Sequence, residues 1–186
     1  MPVQRRLGIL GGTFDPPHLS HLEIAEMVFG RRLVDRVLMI PCFHHAFGKT
    51  PVMFDHRLEM CRQLTRNYSY IDVLDVERKM TNPGRTLELL TVLESMFPDA
   101  AFRLLAGGDI YEERHKWYQF DLVEKKAPPI YLSRKGVPEN DAEWLDAPAE
   151  MSSSEIRQKL ARHESVAGLL SDAVYAYIVE HQLYGV

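Results

Sequence analysis

Gly11-Gly12-Thr13-Phe14-Asp15-Pro16-Pro17-His18-Leu19-Ser20-His21 lies between a short apolar run, Leu7-Gly8-Ile9-Leu10, and an amphipathic one, Leu22-Glu23-Ile24-Ala25-Glu26-Met27-Val28-Phe29. That order reads as strand, tight loop and helix, and it turns the free backbone N–H groups of a helix N-terminus toward whatever the loop encloses. The two glycines let a ligand approach the backbone closely. His18 and His21, at the loop end and the helix start, fall on one side of the first turn. The arrangement suits an anion, and phosphate above all.

Outward from this loop, apolar runs alternate with stretches of helical period. Strands are predicted at 7–10, 36–40, 70–76, 102–106 and 129–133, and helices at 19–31, 54–65, 86–96 and 120–126. Such alternation implies an α/β fold, a Rossmann-like doubly wound parallel sheet with helices on both faces. Continuously apolar strands such as Val37-Leu38-Met39-Ile40 fit burial on both sides. The tail changes character at Ser152-Ser153-Ser154-Glu155, which has the composition of an N-cap. Closing helices are predicted at 153–162 and 171–181, so 151–186 forms a helical C-terminal part. The Pro-, Asp- and Ala-rich stretch 137–150 reads as a surface connection, in which Trp144 takes no role. At 186 residues the chain fits one domain over 1–186. Ligands of doubly wound sheets bind outside the carboxyl ends of the strands, which singles out the loops 11–21, 41–49, 77–86 and 107–117 and the neighbourhood of Arg134.

Composition narrows the function classes. A net charge of -4 argues against a general nucleic-acid binder. No apolar run approaches the roughly 20 residues that span a bilayer. Met1-Pro2-Val3-Gln4-Arg5-Arg6 leads straight into the first strand, leaving no room for a signal peptide. Cys42 and Cys61 lack CxxC spacing and read as reduced thiols of a cytoplasmic protein. The expected partners are small molecules, with no nucleic acid and no membrane. The third glycine of GxGxxG is absent and no Gly-Lys-Ser/Thr follows, which disfavours hydride-transferring Rossmann enzymes and Walker-type loops.

The stretch 11–21 resembles the GxFDPxHxGH element of the nucleotidyltransferase superfamily. Its form Gly-Gly-Thr-Phe-Asp-Pro-Pro-His is similar to that of nicotinate (or nicotinamide) mononucleotide adenylyltransferases. The resemblance implies that His18 and His21 bind nucleotide phosphates and that His21 also stabilises the transition state. It places Gly11, Gly12, Thr13 and Phe14 around ATP and Asp15 with the substrate. Ser20 stands where the family carries glycine. A second stretch, Ser152-Ser153-Ser154-Glu155-Ile156-Arg157, resembles the family's SSTxIR, with serine for threonine at Ser154. It implies that Ser152, Ser153, Ser154, Ile156 and Arg157 receive the ATP phosphates, as a helix start with hydroxyls and an arginine one turn in would do. The closing stretch from Leu169 to Ile178, with Leu183-Tyr184, is also similar to the family's.

The middle segments resemble the family more loosely. Pro41 and Lys49 sit where the family has a proline-led loop ending in a base, although the usual Pro-Pro-His-Lys is missing. The adjacent His44 and His45 read as loop histidines and not as metal ligands. Pro83-Gly84-Arg85-Thr86-Leu87-Glu88 occupies the place of Ser-Tyr-Thr-x-Asp, so Thr86 keeps the hydroxyl that meets the pyridine carboxylate or amide. Arg85 replaces a tyrosine. Pointing inward it would favour a carboxylate over a carboxamide, and the other reading is a solvated side chain. Gly107-Gly108-Asp109 followed by Trp117 matches the family's Gly-x-Asp and Trp, implying Asp109 on the sugar and Trp117 stacked on the pyridine. For Trp117 a core aromatic is the competing reading. Arg134 falls near the nucleotide.

The implied reaction is adenylyl transfer from ATP to nicotinic acid mononucleotide, giving deamido-NAD and pyrophosphate. His18, His21, Lys49 and Arg157 would be catalytic. The chain offers no all-protein metal cage, so Mg2+ would be carried largely by the triphosphate. Other acceptors (nicotinamide mononucleotide or pantetheine phosphate), cytidylyl transfer, a class I aminoacyl-tRNA synthetase fragment and a catalytically silent nucleotide-binding protein are the alternatives.

Overall fold

The computed structural model describes residues 4–43, 51–133, 142–147 and 152–186; Lys49, Arg134, His44 and His45 lie outside the described residues. The strands are β1 (Arg5–Gly12), β2 (Arg36–Pro41), β3 (Ile71–Val73), β4 (Ala100–Gly107), β5 (Pro129–Ser133) and β6 (Trp144–Asp146). All pair in parallel, in the order β3-β2-β1-β4-β5-β6. The order reverses between β1 and β4, so the crevice of a doubly wound sheet opens at the carboxyl ends of these two strands. Register sets Gly12 opposite Pro41 and Ile9 opposite Leu104.

The helices are α1 (Leu19–Gly30), α2 (Phe54–Thr65), α3 (Thr86–Met96), α4 (Gly108–Glu113), α5 (Phe120–Lys126), α6 (Ser153–Ala161) and α7 (Asp172–Glu180). Alternation along the strands divides the core in two. Leu10, Val37, Met39, Leu105, Ile130 and Leu132 face the apolar sides of α1, α2, α6 and α7. Leu7, Ile9, Leu38, Ile40, Leu104, Ala106 and Tyr131 face α3 and α5. The predicted doubly wound parallel sheet is thus the observed one. Among the described residues no helix is long and apolar enough to cross a membrane.

Bounds agree with expectation for α2, α3, α5 and β5 and differ at the ends of the other predicted elements. The predicted strand 70–76 is corrected to three residues, because the chain leaves the sheet and curls into a 3-10 turn, Val76–Lys79, that buries Val76 and Glu77. Apolar β-branched residues do not distinguish burial in a turn from burial in a sheet. Two elements escaped prediction, α4 and β6, both too short to display a period. The surface connection at 137–150 is corrected accordingly, since Tyr131 pairs with Trp144 and Leu132 with Leu145. Trp144 gains a structural role: its ring packs 5.1 Å from Tyr131 and 5.2 Å from Tyr111. A Cβ on Gly108 would come within 3.2 Å of that indole, so the second glycine of Gly107-Gly108 is there for packing.

Arg57 lies on the buried face of α2 beside Leu58 and Cys61 and is 1% exposed. Its Nε donates to the Val52 carbonyl at 3.0 Å, and its Nη1 to those of Thr13 at 2.7 Å and Cys42 at 2.9 Å. One guanidinium therefore ties the start of α2 to the segments leaving β1 and β2. Arg57→Met keeps the apolar stem and abandons three carbonyls. It is expected to cost about 3 kcal/mol and to lower Tm by about 10 °C in thermal unfolding followed by circular dichroism. A loss below about 1 kcal/mol would mean that water replaces the guanidinium without strain.

Candidate active site

Past Gly12 the chain crosses the carboxyl edge of the sheet before entering α1. Phe14 adopts a left-handed φ of 52°, and the Asp15-Pro16 bond is cis. The Phe14 ring is buried beneath Gly12, where a Cβ would approach it to 3.2 Å; around Gly11 a Cβ would meet nothing within 4 Å. The Phe14 side chain therefore closes the loop from within, which corrects its expected place around ATP, while Gly12 stays half-buried. Gly11 borders the open space.

His18 is the N-cap of α1 with extended backbone, and His21 occupies N3. The His18 N–H donates to His21 Nδ1 at 3.1 Å, and the two rings lie 3.7 Å apart. His21 thus reaches back to the N-cap as a glutamate does in a capping box. Because Nδ1 accepts, the neutral ring carries its proton on Nε2 and keeps a donor there. Phe14 meets the His21 ring edge-on at 4.8 Å and limits its tilt. The predicted histidine pair is one unit, seated at the positive end of the α1 dipole.

A second helix start docks on the same loop. Ser152 caps α6 by accepting from the Ser154 N–H at 3.2 Å. Ser153 Oγ donates to the Pro16 carbonyl at 2.9 Å, and Arg157 Nη1 to that of Asp15 at 2.6 Å. Arg157 Nη2 donates to Ser154 Oγ at 3.2 Å. The expected contact of Ile156 with ATP is corrected: its side chain is 1% exposed and its N–H is spent on the Ser152 carbonyl.

Asp15 is corrected as well. Its carboxylate is 6% exposed and is engaged inside the protein, accepting from the Tyr184 hydroxyl at 2.8 Å and the Val52 N–H at 3.3 Å, with Arg157 Nη1 at 3.5 Å. Here it fastens the C-terminal turn to the loop. Burial and the Asp15 carboxylate together push the ionisation of Tyr184 far above that of a free phenol.

Across the crevice, Thr86 is the first residue of α3 and half-buried. Arg85 faces solvent, with its guanidinium 4.8 Å from the Tyr118 ring centroid and 3.4 Å from Glu88. Of its two readings, the solvated one is therefore found. Trp117 is half-buried, packed against the α3/α5 core and edge-on to Phe120 at 5.8 Å. Gly107 caps α4, and its missing Cβ leaves room for the Asp109 carboxylate. Among the described residues no three histidine, cysteine or carboxylate side chains gather as a metal site.

Arg57, Glu77, Tyr118 and Tyr184 were missed from sequence. Arg57 was recoverable, since it falls in helical register with Phe54, Leu58 and Cys61; Glu77 offered no local signal. Above pH 10, the ordinary tyrosine value, unfolded chains ionise their tyrosines while folded Tyr184 keeps its proton, so stability falls as pH rises. Tyr184→Phe is expected to flatten that alkaline fall by about 1.4 kcal/mol per pH unit in denaturant titrations between pH 10 and 11.5. It should also cost about 1.5 kcal/mol at neutral pH. An unchanged alkaline slope would sink the assignment.

Residues 9–159 match the cytidylyltransferase-like family. The chain is 39% identical over 183 residues to the nicotinate-nucleotide adenylyltransferase of Anaeromyxobacter sp. (strain K), covering 97% of each. It is 36% identical to that of Myxococcus xanthus, covering 97% of this chain and 95% of the relative. The fold is that of the Plasmodium falciparum nicotinic acid mononucleotide adenylyltransferase solved with NaAD, with a TM-score of 0.81 at 19% identity over 97% of both chains. Two facing helix starts and full-length similarity thus converge, and the chain belongs to the nicotinate-nucleotide adenylyltransferases of the cytidylyltransferase-like family.

Proposed function

We propose that the chain, acting as one nucleotidyltransferase domain over 1–186 in the cytoplasm, transfers the adenylyl group of ATP to nicotinic acid mononucleotide. The products are deamido-NAD and pyrophosphate, and the reaction serves NAD biosynthesis. The full-length relatives support this reading. The structural observation that carries it is the docking of the α6 start on the loop before α1, through Ser153 to Pro16 and Arg157 to Asp15.

The acceptor's 5′-phosphate oxygen attacks the α-phosphorus of ATP, the bond to the bridging oxygen breaks, and pyrophosphate leaves with the electron pair. The nucleophile is already an anion, so no side chain need be activated. What the protein supplies is alignment and neutralisation of charge. His21 Nε2–H, steadied by the His18 backbone and Phe14, donates to a phosphate oxygen, and His18 lies beside it. Ser152, Ser153, Ser154 and Arg157 hold the β- and γ-phosphates, and Lys49 adds a cation. Gly11 and Thr13 border ATP with their backbone. Thr86 and Trp117 receive the pyridine, Gly107 and Asp109 the sugar, and Arg134 the nucleotide. Arg85, solvated and paired with Glu88, stands outside this set. Mg2+ would arrive on the triphosphate oxygens, where it would supply further charge neutralisation.

Pyrophosphate release with a panel of acceptors tests the reading. Nicotinic acid mononucleotide is expected to exceed nicotinamide mononucleotide and pantetheine phosphate by about tenfold or more in kcat/KM, about 1.4 kcal/mol of discrimination. Preference for pantetheine phosphate, or no release with any acceptor, overturns it. His21→Ala is expected to lower kcat by about 10²–10³ and to leave ATP affinity within about threefold. Equal losses in both would reduce His21 to ground-state binding.

A further inference from the structure

We infer that Glu77 is a positioning residue that fixes the acceptor-side loop relative to the phosphate loop, an assignment that rests on the function proposed above. Glu77 sits in the 3-10 turn after β3 and is 6% exposed. One of its oxygens, Oε2, accepts from two backbone amides, Phe43 at 2.9 Å and Gly84 at 3.1 Å. These amides belong to different loops at the carboxyl edge of the sheet.

Gly84 lies two residues before Thr86, and its φ of 87° is a backbone state that favours glycine. Phe43 follows Cys42, whose N–H donates to the Gly12 carbonyl at 2.9 Å and whose carbonyl accepts from Arg57 at 2.9 Å. Arg57 also holds the Thr13 carbonyl at 2.7 Å. A continuous series of hydrogen bonds therefore runs from the acceptor loop, through Glu77, to the loop before α1. Charge makes it effective: a carboxylate oxygen accepts roughly twice as strongly as a neutral one. A buried carboxylate is also tolerated only while such donors surround it.

A loop already held in its ligand-ready position spares the binding step the cost of ordering it, so loosening that loop is read in the KM of the ligand it meets. Glu77 touches neither substrate in this arrangement. It sets where Gly84-Arg85-Thr86 stands relative to Gly12-Thr13, and hence where the pyridine mononucleotide is presented.

Glu77→Gln keeps the shape and one acceptor oxygen but drops the charge. It is expected to raise KM for nicotinic acid mononucleotide about five- to tenfold, through two weakened hydrogen bonds. The KM for ATP should not move, Tm should fall by only about 3 °C, and kcat should stay within about twofold. Native-state exchange of the Gly84 and Phe43 amides should quicken about tenfold, with β1 and β4 amides unchanged. Glu77→Leu should exaggerate each effect, and where it fails to fold Glu77→Gln decides alone. An unmoved acceptor KM overturns the inference. So does a kcat loss at constant KM, or parallel loss of both substrates with a lower Tm, which would mark a merely structural role. A wild-type protein inactive on every pyridine mononucleotide ends the functional reading and this inference with it; a wild type active on nicotinic acid mononucleotide, with an unmoved variant, ends only the inference.

Discussion

Arg57 carries a full charge in the interior, surrounded by carbonyl oxygens where a carboxylate would be usual. A carboxylate partner would have made a self-sufficient neutral pair. Carbonyls instead solvate the guanidinium while leaving its net charge in place, and its rigid fork fixes the direction in which each must point. The three carbonyls come from three segments, so one side chain ties the β1 and β2 exits, already paired with each other, to the start of α2. The charge lies within hydrogen-bond distance of the Thr13 carbonyl. It contributes positive potential where the family's chemistry gathers phosphates.

The loop itself is held from three further directions. Asp15 receives the Tyr184 hydroxyl and the Val52 amide, Pro16 receives Ser153, and the Leu19 N–H is tied to the Leu169 carbonyl at 3.0 Å. None of these groups has to touch a ligand for the geometry of the ligand site to depend on it. Conserving the identity of the loop without its C-terminal supports would give the right residues in a poorly defined arrangement. This is why the last turn of the chain belongs to the site's architecture although it lies outside the crevice.

The sheet and its helices were legible because long amphipathic or continuously apolar segments carry their period locally, as α2, α3 and α5 show. Three-residue β6 and six-residue α4 carry none. In the site, the two helix starts were legible for the same reason, being contiguous stretches of sequence. Residues that act at long range were not. Asp15 meets Tyr184 across 169 positions, and from sequence it could only be counted among the substrate contacts of its motif. Phe14 and Ile156 teach a related lesson: belonging to a ligand-binding stretch does not say whether the side chain faces ligand or core, and both face the core. Glu77 was invisible because the donors it collects are backbone amides, which every residue but proline possesses.

Ser20 is the one departure inside the first motif, and its burial explains why the motif survives it. Glycine at this position would allow a phosphate to approach the start of α1 on any side. Ser20 is the second residue of that helix and is 6% exposed, so its side chain lies on the core-facing side of the turn. His21 and the N-cap are directed elsewhere, with the His21 ring fixed between His18 and Phe14. A side chain added on the buried side leaves the outer surface of the first turn as bare as glycine would. The requirement at this position is therefore a bare outer surface on the first turn. Any small residue whose Cβ turns inward meets it, and glycine is only the simplest way of doing so.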